Sequence, residues 1–329
     1  MVLGYRVKTN AWFGWGDKSL SEKTIEFWQP ETREDFHIPV RPNETHDYYH
    51  EIRGSGLRPF ERLIPTYNNK GTLFASWNPN RSTNDLRPTV IIPHGGPGIN
   101  PTEMNAGRWF KQQLGANVLI LDSFWSRGIQ ENDFATNRYG VDMRVLDVVA
   151  ALRFLTQQPE VDKQFIYIYG GSQGGWLGLR VMTDDPFIMK EINGQIRAAF
   201  SLYPWCRESP KYGGRSRLHL GVDLNIEPWF APRLGPFSGK VYVWTAGRDE
   251  ATDIRYCRES IFKAATEWNH YPEATHGWDL PNRGTYSVAV DGECARANNK
   301  INKYLMCRDT KLTNEILGRI KDIIIGDMN

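Results

Sequence analysis

The 329 residues allow one large domain with appendages or two small ones. Lys and Arg total 40 against 38 Asp and Glu, a formal net charge of +2 with no long single-sign block, which argues against a dedicated nucleic-acid binder: such a protein concentrates positive charge to displace phosphate counterions. With 40% hydrophobic and 24% charged residues the composition is that of a folded globular protein, and no apolar run approaches the roughly 20 residues that cross a bilayer.

In chain order, the opening stretch MVLGYRVKTNAWFGWGDK lacks the sustained apolar run and small-residue cleavage site of a secretory signal. A soluble protein is expected, cytoplasmic unless a leader has been removed. Residues 1–55 are rich in Trp, Tyr and charge, are interrupted by Pro30, Pro39 and Pro42, and read as an irregular N-terminal extension. His46 and His50 stand at i, i+4, the spacing of two zinc ligands on one helix face. The acid between them is Asp47 and no third ligand is evident, so surface histidines and no metal are expected.

From residue 57 short apolar runs alternate with longer helical stretches, the signature of a parallel sheet covered by helices on both faces. A catalytic-type α/β domain is expected over 56–310. Its central strands are expected at Thr89–Ile92, Val118–Leu121, Phe165–Tyr169, Ala198–Leu202 and Lys240–Thr245, with a shorter run at Trp268–Tyr271. Val141, Val145, Val148, Val149, Leu152 and Leu155 recur at helical spacing between the second and third strands, which makes a right-handed strand–helix–strand unit. Helices are also expected at Asp253–Glu267 and Val288–Leu305. Over 311–329, Leu312, Ile316, Leu317, Ile320 and Ile324 form the stripe of an amphipathic terminal helix, expected to pack on its own domain, with homo-oligomerisation as the alternative. Cys206, Cys257, Cys294 and Cys307 are too few and scattered for a disulfide scaffold or a CxxC zinc pair; ordinary buried thiols are expected, with one or two disulfides as the alternative.

The chemistry concentrates in four places. Tyr169-Gly-Gly-Ser172-Gln-Gly-Gly175 is a GxSxG that follows an apolar strand and precedes a helical run. A serine on that turn projects from the carboxyl edge of the sheet beside a helix amino end, and Ser172 is expected as the nucleophile. A hydroxyl needs a base within reach and a third group to orient the base, in the chain order Ser, acid, His. The acid is expected at Asp249, just past the strand KVYVWT, with Glu250 and Asp253 as neighbours that could replace it. Of seven histidines only His276 lies in a loop downstream of that acid, so it is expected as the base. Pro93-His-Gly-Gly-Pro-Gly98 is an early strand–helix loop with exposed amides, although Pro97 has none to give. Oxyanion donors are expected at the N–H groups of Gln173 and Gly96, with Gly95 as the alternative.

The segments HGGPG (94–98), GGSQGG (170–175), GRDEATD (247–253) and ATHGWD (274–279), in that order, resemble the α/β-hydrolase fold and, within it, the dienelactone hydrolase-like group. The segment Asp122-Ser-Phe-Trp-Ser-Arg127-Gly-Ile is similar to the one that follows the second core strand in that group, and the resemblance spans roughly residues 57–307. Dienelactone hydrolase itself uses a cysteine where this chain has Ser172, so the resemblance implies a serine carboxylesterase-like hydrolase acting on a small-molecule ester without metal or organic cofactor. If a disulfide forms, Cys206 with Cys257 is the expected pair, since both fall near the carboxyl edge of the sheet. Phe124, Trp125, Trp205 and Trp278 fall in loops beyond the carboxyl ends of strands and are expected to line an aromatic substrate site; Arg127 is expected to brace a loop. HGGPG and GGSxGG also resemble motifs of proline iminopeptidases, and HGGP those of the prolyl oligopeptidase group, which leaves a serine peptidase as the alternative activity. A non-catalytic binding protein on the same scaffold is the third reading.

Overall fold

The structure is a computed structural model. It describes residues 4–7, 25–28, 57–58, 61–67, 69, 71–81, 86–124, 144–192, 194–205, 236–252, 264–280, 294–298 and 303–329. Its centre is an eight-stranded sheet built from β3 (Glu61–Pro65), β4 (Thr72–Asn78), β5 (Arg87–Pro93), β6 (Asn117–Asp122), β7 (Val161–Gly171), β8 (Ala198–Leu202), β9 (Lys240–Ala246) and β10 (Glu267–Tyr271). The spatial order is β3-β4-β6-β5-β7-β8-β9-β10. All pairings from β6 to β10 are parallel, and β4 runs antiparallel to both β3 and β6. The five expected core strands are all present. β3 and β4 escaped the sequence reading because they form an edge hairpin, not a strand–helix repeat.

Both faces of the sheet are covered, so its strands are apolar on both sides. Along β5 and β6 the alternation is plain: Ile91, Leu119 and Leu121 face one cluster, Val90, Ile92, Val118 and Ile120 the other. The first face is closed by α2 (Val145–Leu155) and α3 (Gln173–Val181), the second by α1 (Pro101–Leu114) and α5 (Thr310–Met328); a short α4 spans Pro186–Glu191. Asn100 caps α1 through its side chain, and Gly115 ends that helix in the left-handed region at φ 59°. Leu312, Ile316, Leu317, Ile320 and Ile324 of α5 are buried in the second cluster, each contributing roughly 1.5–3 kcal/mol of transfer free energy. The terminal stripe therefore packs on its own sheet. Among the described residues no helix is long and apolar enough to cross a membrane.

Four expectations are corrected. Within the extension, β1 (Gly4–Val7) and β2 (Ile25–Trp28) pair antiparallel, two runs too short to stand out from an aromatic, charged background. The helix expected over 288–305 is instead, where described, a hairpin of β11 (Cys294–Asn298) and β12 (Lys303–Cys307). Cys294 and Cys307 face each other at its open end and form a disulfide with Cα atoms 4.0 Å apart, so neither is a free thiol. That crosslink imposes a cross-strand register on residues whose spacing alone also suits a helix. Residues 264–266 form a turn leading into β10, so the helix expected to reach Glu267 does not extend that far. Residues 253–263, His46, His50, Trp125, Arg127, Cys206 and Cys257 lie outside the described residues.

The chain order reverses at β5: β6 is laid on one side of it and β7 on the other. Such a switch point opens a crevice beyond the carboxyl ends of the two strands, where ligands of open α/β sheets bind. The loops leaving β5 and β7 are the HGGPG and GGSQGG segments.

Candidate active site

Ser172 stands between the end of β7 and the start of α3 with φ 54° and ψ −120°, a left-handed backbone that a side-chain-bearing residue adopts only when its surroundings impose it. Its N–H donates to the Leu202 carbonyl at 3.0 Å, and its own carbonyl accepts from the N–H groups of Trp176 and Trp205, both at 2.9 Å. The flanking glycines make the turn feasible. A Cβ on Gly170 would lie 2.6 Å from the Gly174 backbone, and one on Gly174 would lie 2.5 Å from the Pro93 carbonyl oxygen. Helix α3 thus sits against strands β5 and β7 at a distance only glycine permits.

Three side chains from three loops meet at this edge. The Ser172 hydroxyl lies 2.9 Å from His276 Nε2, and His276 Nδ1 lies 2.8 Å from Asp249 Oδ2. His276 follows β10 and Asp249 follows β9; both side chains are 5% exposed, which shields their contact from competing water. Asp249 is fixed independently of the histidine. Its Oδ1 accepts from the N–H groups of Ala251 and Thr252, both at 2.8 Å, and its Oδ2 accepts from the Thr252 hydroxyl at 3.0 Å. With Oδ2 accepting, Nδ1 of His276 carries the proton and Nε2 is left to accept from Ser172. Of the other two candidate acids, Glu250 accepts instead from the Leu305 N–H of β12 at 3.0 Å, and Asp253 lies outside the described residues.

The rings around His276 come from places the sequence reading did not single out. Tyr203, at φ 33°, packs edge-on with ring centroids 4.8 Å apart, and Tyr304 of β12 packs at 5.3 Å. The Tyr304 phenol is pushed up to about 12 by burial and by the nearby Asp249 charge. A Cβ on Gly171 would fall 2.3 Å from the Tyr203 hydroxyl, which explains the second glycine before Ser172.

On the opposite side lies the β5 loop. The Gly95 N–H donates to Glu103 Oε1 at 3.0 Å, which removes Gly95 from the pair of oxyanion-donor candidates. Among the described residues the Gly96 N–H has no acceptor, and the Gln173 N–H heads helix α3, where no intrahelical partner exists. His94 is fully buried. Its Nδ1 donates to the Gly95 carbonyl at 2.6 Å while its Nε2 accepts from the Ser123 N–H at 3.2 Å, so it is a neutral imidazole that bridges two loops. Its 4.0 Å approach to Asp122 is therefore not an ion pair. Buried Arg144 ties the loop down, donating to the His94 carbonyl at 2.6 Å and reaching Gln173 Oε1 at 3.5 Å.

Beneath these loops is a buried acidic cluster. The Tyr203 hydroxyl donates to Asp279 Oδ1, and Tyr169 reaches the same carboxyl. Burial raises both phenols well above the usual tyrosine range and raises Asp279 as well. Glu103 is pushed up from 4.5 to about 7 by burial, against the pull of the backbone N–H groups it accepts from. One signal for Glu103 was present in the sequence: Asn100 followed three residues later by Glu is the spacing of a capping box, and both of its hydrogen bonds form.

The expected substrate aromatics divide. Phe124 (3% exposed) packs edge-on to His94, and Trp278 (0% exposed) packs against Tyr203, so both belong to the packing under the site and not to an open wall. Trp205 is half-buried and its backbone is bonded to Ser172. Among the described residues no group of three or more His, Cys, Asp or Glu could hold a metal ion.

No family model matches the chain. In sequence it is 27% identical over 143 residues to acylamino-acid-releasing enzyme 1 of Oryza sativa subsp. japonica, a match over 43% of this chain and only 17% of that enzyme's length. In structure it is similar to a dienelactone hydrolase-like promiscuous phosphotriesterase from metagenomic libraries, with a TM-score of 0.54 and 13% identity over 81% of this chain and 97% of the other. It is also similar to a thermophilic esterase of Thermogutta terrifontis, with a TM-score of 0.50 and 21% identity over 67% and 85% of the two chains. At these identities the likeness speaks to fold, and the chain accordingly has the α/β-hydrolase fold, similar to dienelactone hydrolase-like proteins and esterases, as its four motifs lead one to expect.

Proposed function

We propose that the chain is a serine hydrolase that cleaves small carboxylic esters through an acyl-enzyme. One observation carries the reading: the unbroken line from the Ser172 hydroxyl through His276 to Asp249, at 2.9 and 2.8 Å, on the switch-point edge of the sheet. Likeness in fold to esterases and dienelactone hydrolase-like proteins supports it.

In this mechanism Ser172 attacks the ester carbonyl carbon as His276 Nε2 takes its proton, and Asp249 holds the Nδ1–H tautomer and stabilises the imidazolium that forms. The Gln173 and Gly96 N–H groups donate to the oxyanion of the tetrahedral intermediate. His276 then returns the proton to the departing alkoxide, and the same imidazole activates the water that releases the acid. This chemistry needs no cofactor. Trp205, half-buried and tied to the Ser172 carbonyl, is the described aromatic that remains for substrate contact.

The test is hydrolysis of p-nitrophenyl acetate, butyrate and octanoate by the wild type and by Ser172→Ala, with circular dichroism to establish that both are folded. Loss of turnover with Ser172 is the expected result. Turnover that survives the substitution would refute the assignment.

The partial sequence match to an acylamino-acid-releasing enzyme favours one second reading, cleavage of an N-acylated aminoacyl amide by the same residues. A higher kcat/KM on N-acetyl-alanine p-nitroanilide than on any of the three esters would support it over the first.

A further inference from the structure

We infer that Glu103 is a positioning residue for the oxyanion loop, the buried carboxylate that closes the segment 95–100 into a ring and leaves Gly96 as the loop's amide donor. The inference rests on the reading of Ser172 as a nucleophile. Its geometric basis is that the two oxygens of one carboxylate reach both ends of the loop: Oε1 accepts from the Gly95 N–H at 3.0 Å, and Oε2 accepts from the Asn100 N–H at 2.9 Å. An ordinary capping box uses only the second of these bonds. The first is extra, and it occupies the neighbouring amide that would otherwise compete with Gly96 for the oxyanion.

The loop has few other ways to hold that shape. Pro97 offers no N–H, Gly98 sits at φ +92°, and the contact within the loop is a single bridge between Gly95 and Gly98. From outside, Arg144 and His94 fix the carbonyls of residues 94 and 95, and neither touches the amide side. Glu103 is buried and faces Asp279 from the His276 loop, Tyr169 from β7 and Tyr203 from the end of β8. Asp279 is an acid and the two tyrosines are neutral phenols, so none of these three neighbours compensates the charge. A buried carboxyl held near Asp279 and two phenols is a poor choice for a helix cap alone, since a neutral acceptor would cap α1 without that penalty. Only the ionised form accepts from both amides with both oxygens, and the raised position of its titration, about 7, matches the unfavourable surroundings.

The experiment follows phosphonylation of Ser172 by a fluorophosphonate in the wild type, Glu103→Gln and Glu103→Ala, with thermal unfolding recorded for each. The readouts are the maximal labelling rate and the reagent concentration giving half of it. Oxyanion donors typically contribute roughly 10²–10³ to such steps, so a misplaced Gly96 amide lowers the maximal rate by roughly a hundredfold in Glu103→Ala. Glu103→Gln, which retains one carbonyl acceptor for Gly95, loses about tenfold. The half-saturating concentration stays within about twofold in both, because the ground state does not use the oxyanion donors. A folded Glu103→Ala or Glu103→Gln that labels at the wild-type rate would overturn the inference, as would a loss seen only in the half-saturating concentration. Ser172→Ala separates the two levels of argument. Labelling that persists there would overturn the nucleophile assignment and this inference with it. Failure to cleave esters by a wild type that labels would refute only the choice of substrate.

Discussion

Replacing Glu103 by Gln should change how stability depends on pH, in a direction and amount that follow from burial. The carboxyl titrates near 4.5 when the chain is unfolded and near 7 in the folded protein, because burial disfavours its charge. Below pH 4.5 both states hold the proton, and the contribution of this group to stability is present in full. As pH rises, the unfolded chain loses the proton first, so stability falls through the window from 4.5 to 7 and levels off above it. The interval between those values corresponds to roughly 3 kcal/mol. Glutamine cannot ionise. Like the protonated carboxyl it offers a single carbonyl acceptor to the two amides, so it stands close to Glu103 at low pH and departs from it as the carboxyl ionises. Urea unfolding of the two proteins at intervals from about pH 4.5 to 8 isolates the effect, since Asp279 and the other titrating groups are common to both. The difference in unfolding free energy should move in favour of Glu103→Gln by up to about 3 kcal/mol across that range. Parallel curves, or a drift in the opposite direction, would refute the argument that burial disfavours the charge of this carboxyl.

Three further outcomes are expected. Gly174→Ala places a methyl group 2.5 Å from the Pro93 carbonyl oxygen, so α3 must retreat from β5; the change should destabilise by more than about 2 kcal/mol, and an unaltered thermal midpoint would contradict the close approach read from the backbone. Asp249→Asn keeps the shape of the side chain but turns an amide toward His276 Nδ1 and favours the wrong tautomer; kcat should fall by about 10⁴ with little change in folding, and a fall below about tenfold would remove Asp249 from the mechanism. Reducing the Cys294–Cys307 disulfide, which closes a loop with a sequence separation of 13, should cost about 3 kcal/mol of stability. It should also slow turnover by loosening Tyr304 from His276, and turnover independent of reductant would mean that the tyrosine is not held there by the crosslink.

How much of this was legible in the chain depends on whether the determining contact is local. The five central strands and α2 announce themselves because burial on both faces demands an unbroken apolar run, and a helix on the sheet demands a 3.6-residue stripe. Ser172, His276 and Asp249 follow from motif and order, since each sits in the first residues after a strand and the sheet brings those ends to one edge. The hairpin of β11 and β12 did not follow. Its residues carry no strong alternation, and what holds it is a crosslink together with the bonds from Leu305 to Glu250 and from Cys307 to Thr275. The same holds for the aromatic residues: position after a strand suggested a pocket wall for Phe124 and Trp278, but exposure depends on what packs above them, and His94 and Tyr203 occupy that place.

Glycine spacing and apolar periodicity act within a few residues, which is why the α/β class, the tight turn at Ser172 and the placing of serine, acid and histidine after successive strands could be read from the chain alone. The same local patterns narrowed the oxyanion loop donor to Gly95 or Gly96 and the acid to three neighbours, and went no further. Gly95 is excluded by a carboxylate eight residues away on α1. Asp249 is distinguished from Glu250 by which acid faces a histidine 27 residues on and which faces a hairpin strand 55 residues on. Those choices are made by hydrogen bonds and burial between segments that folding brings together, and no local pattern encodes them.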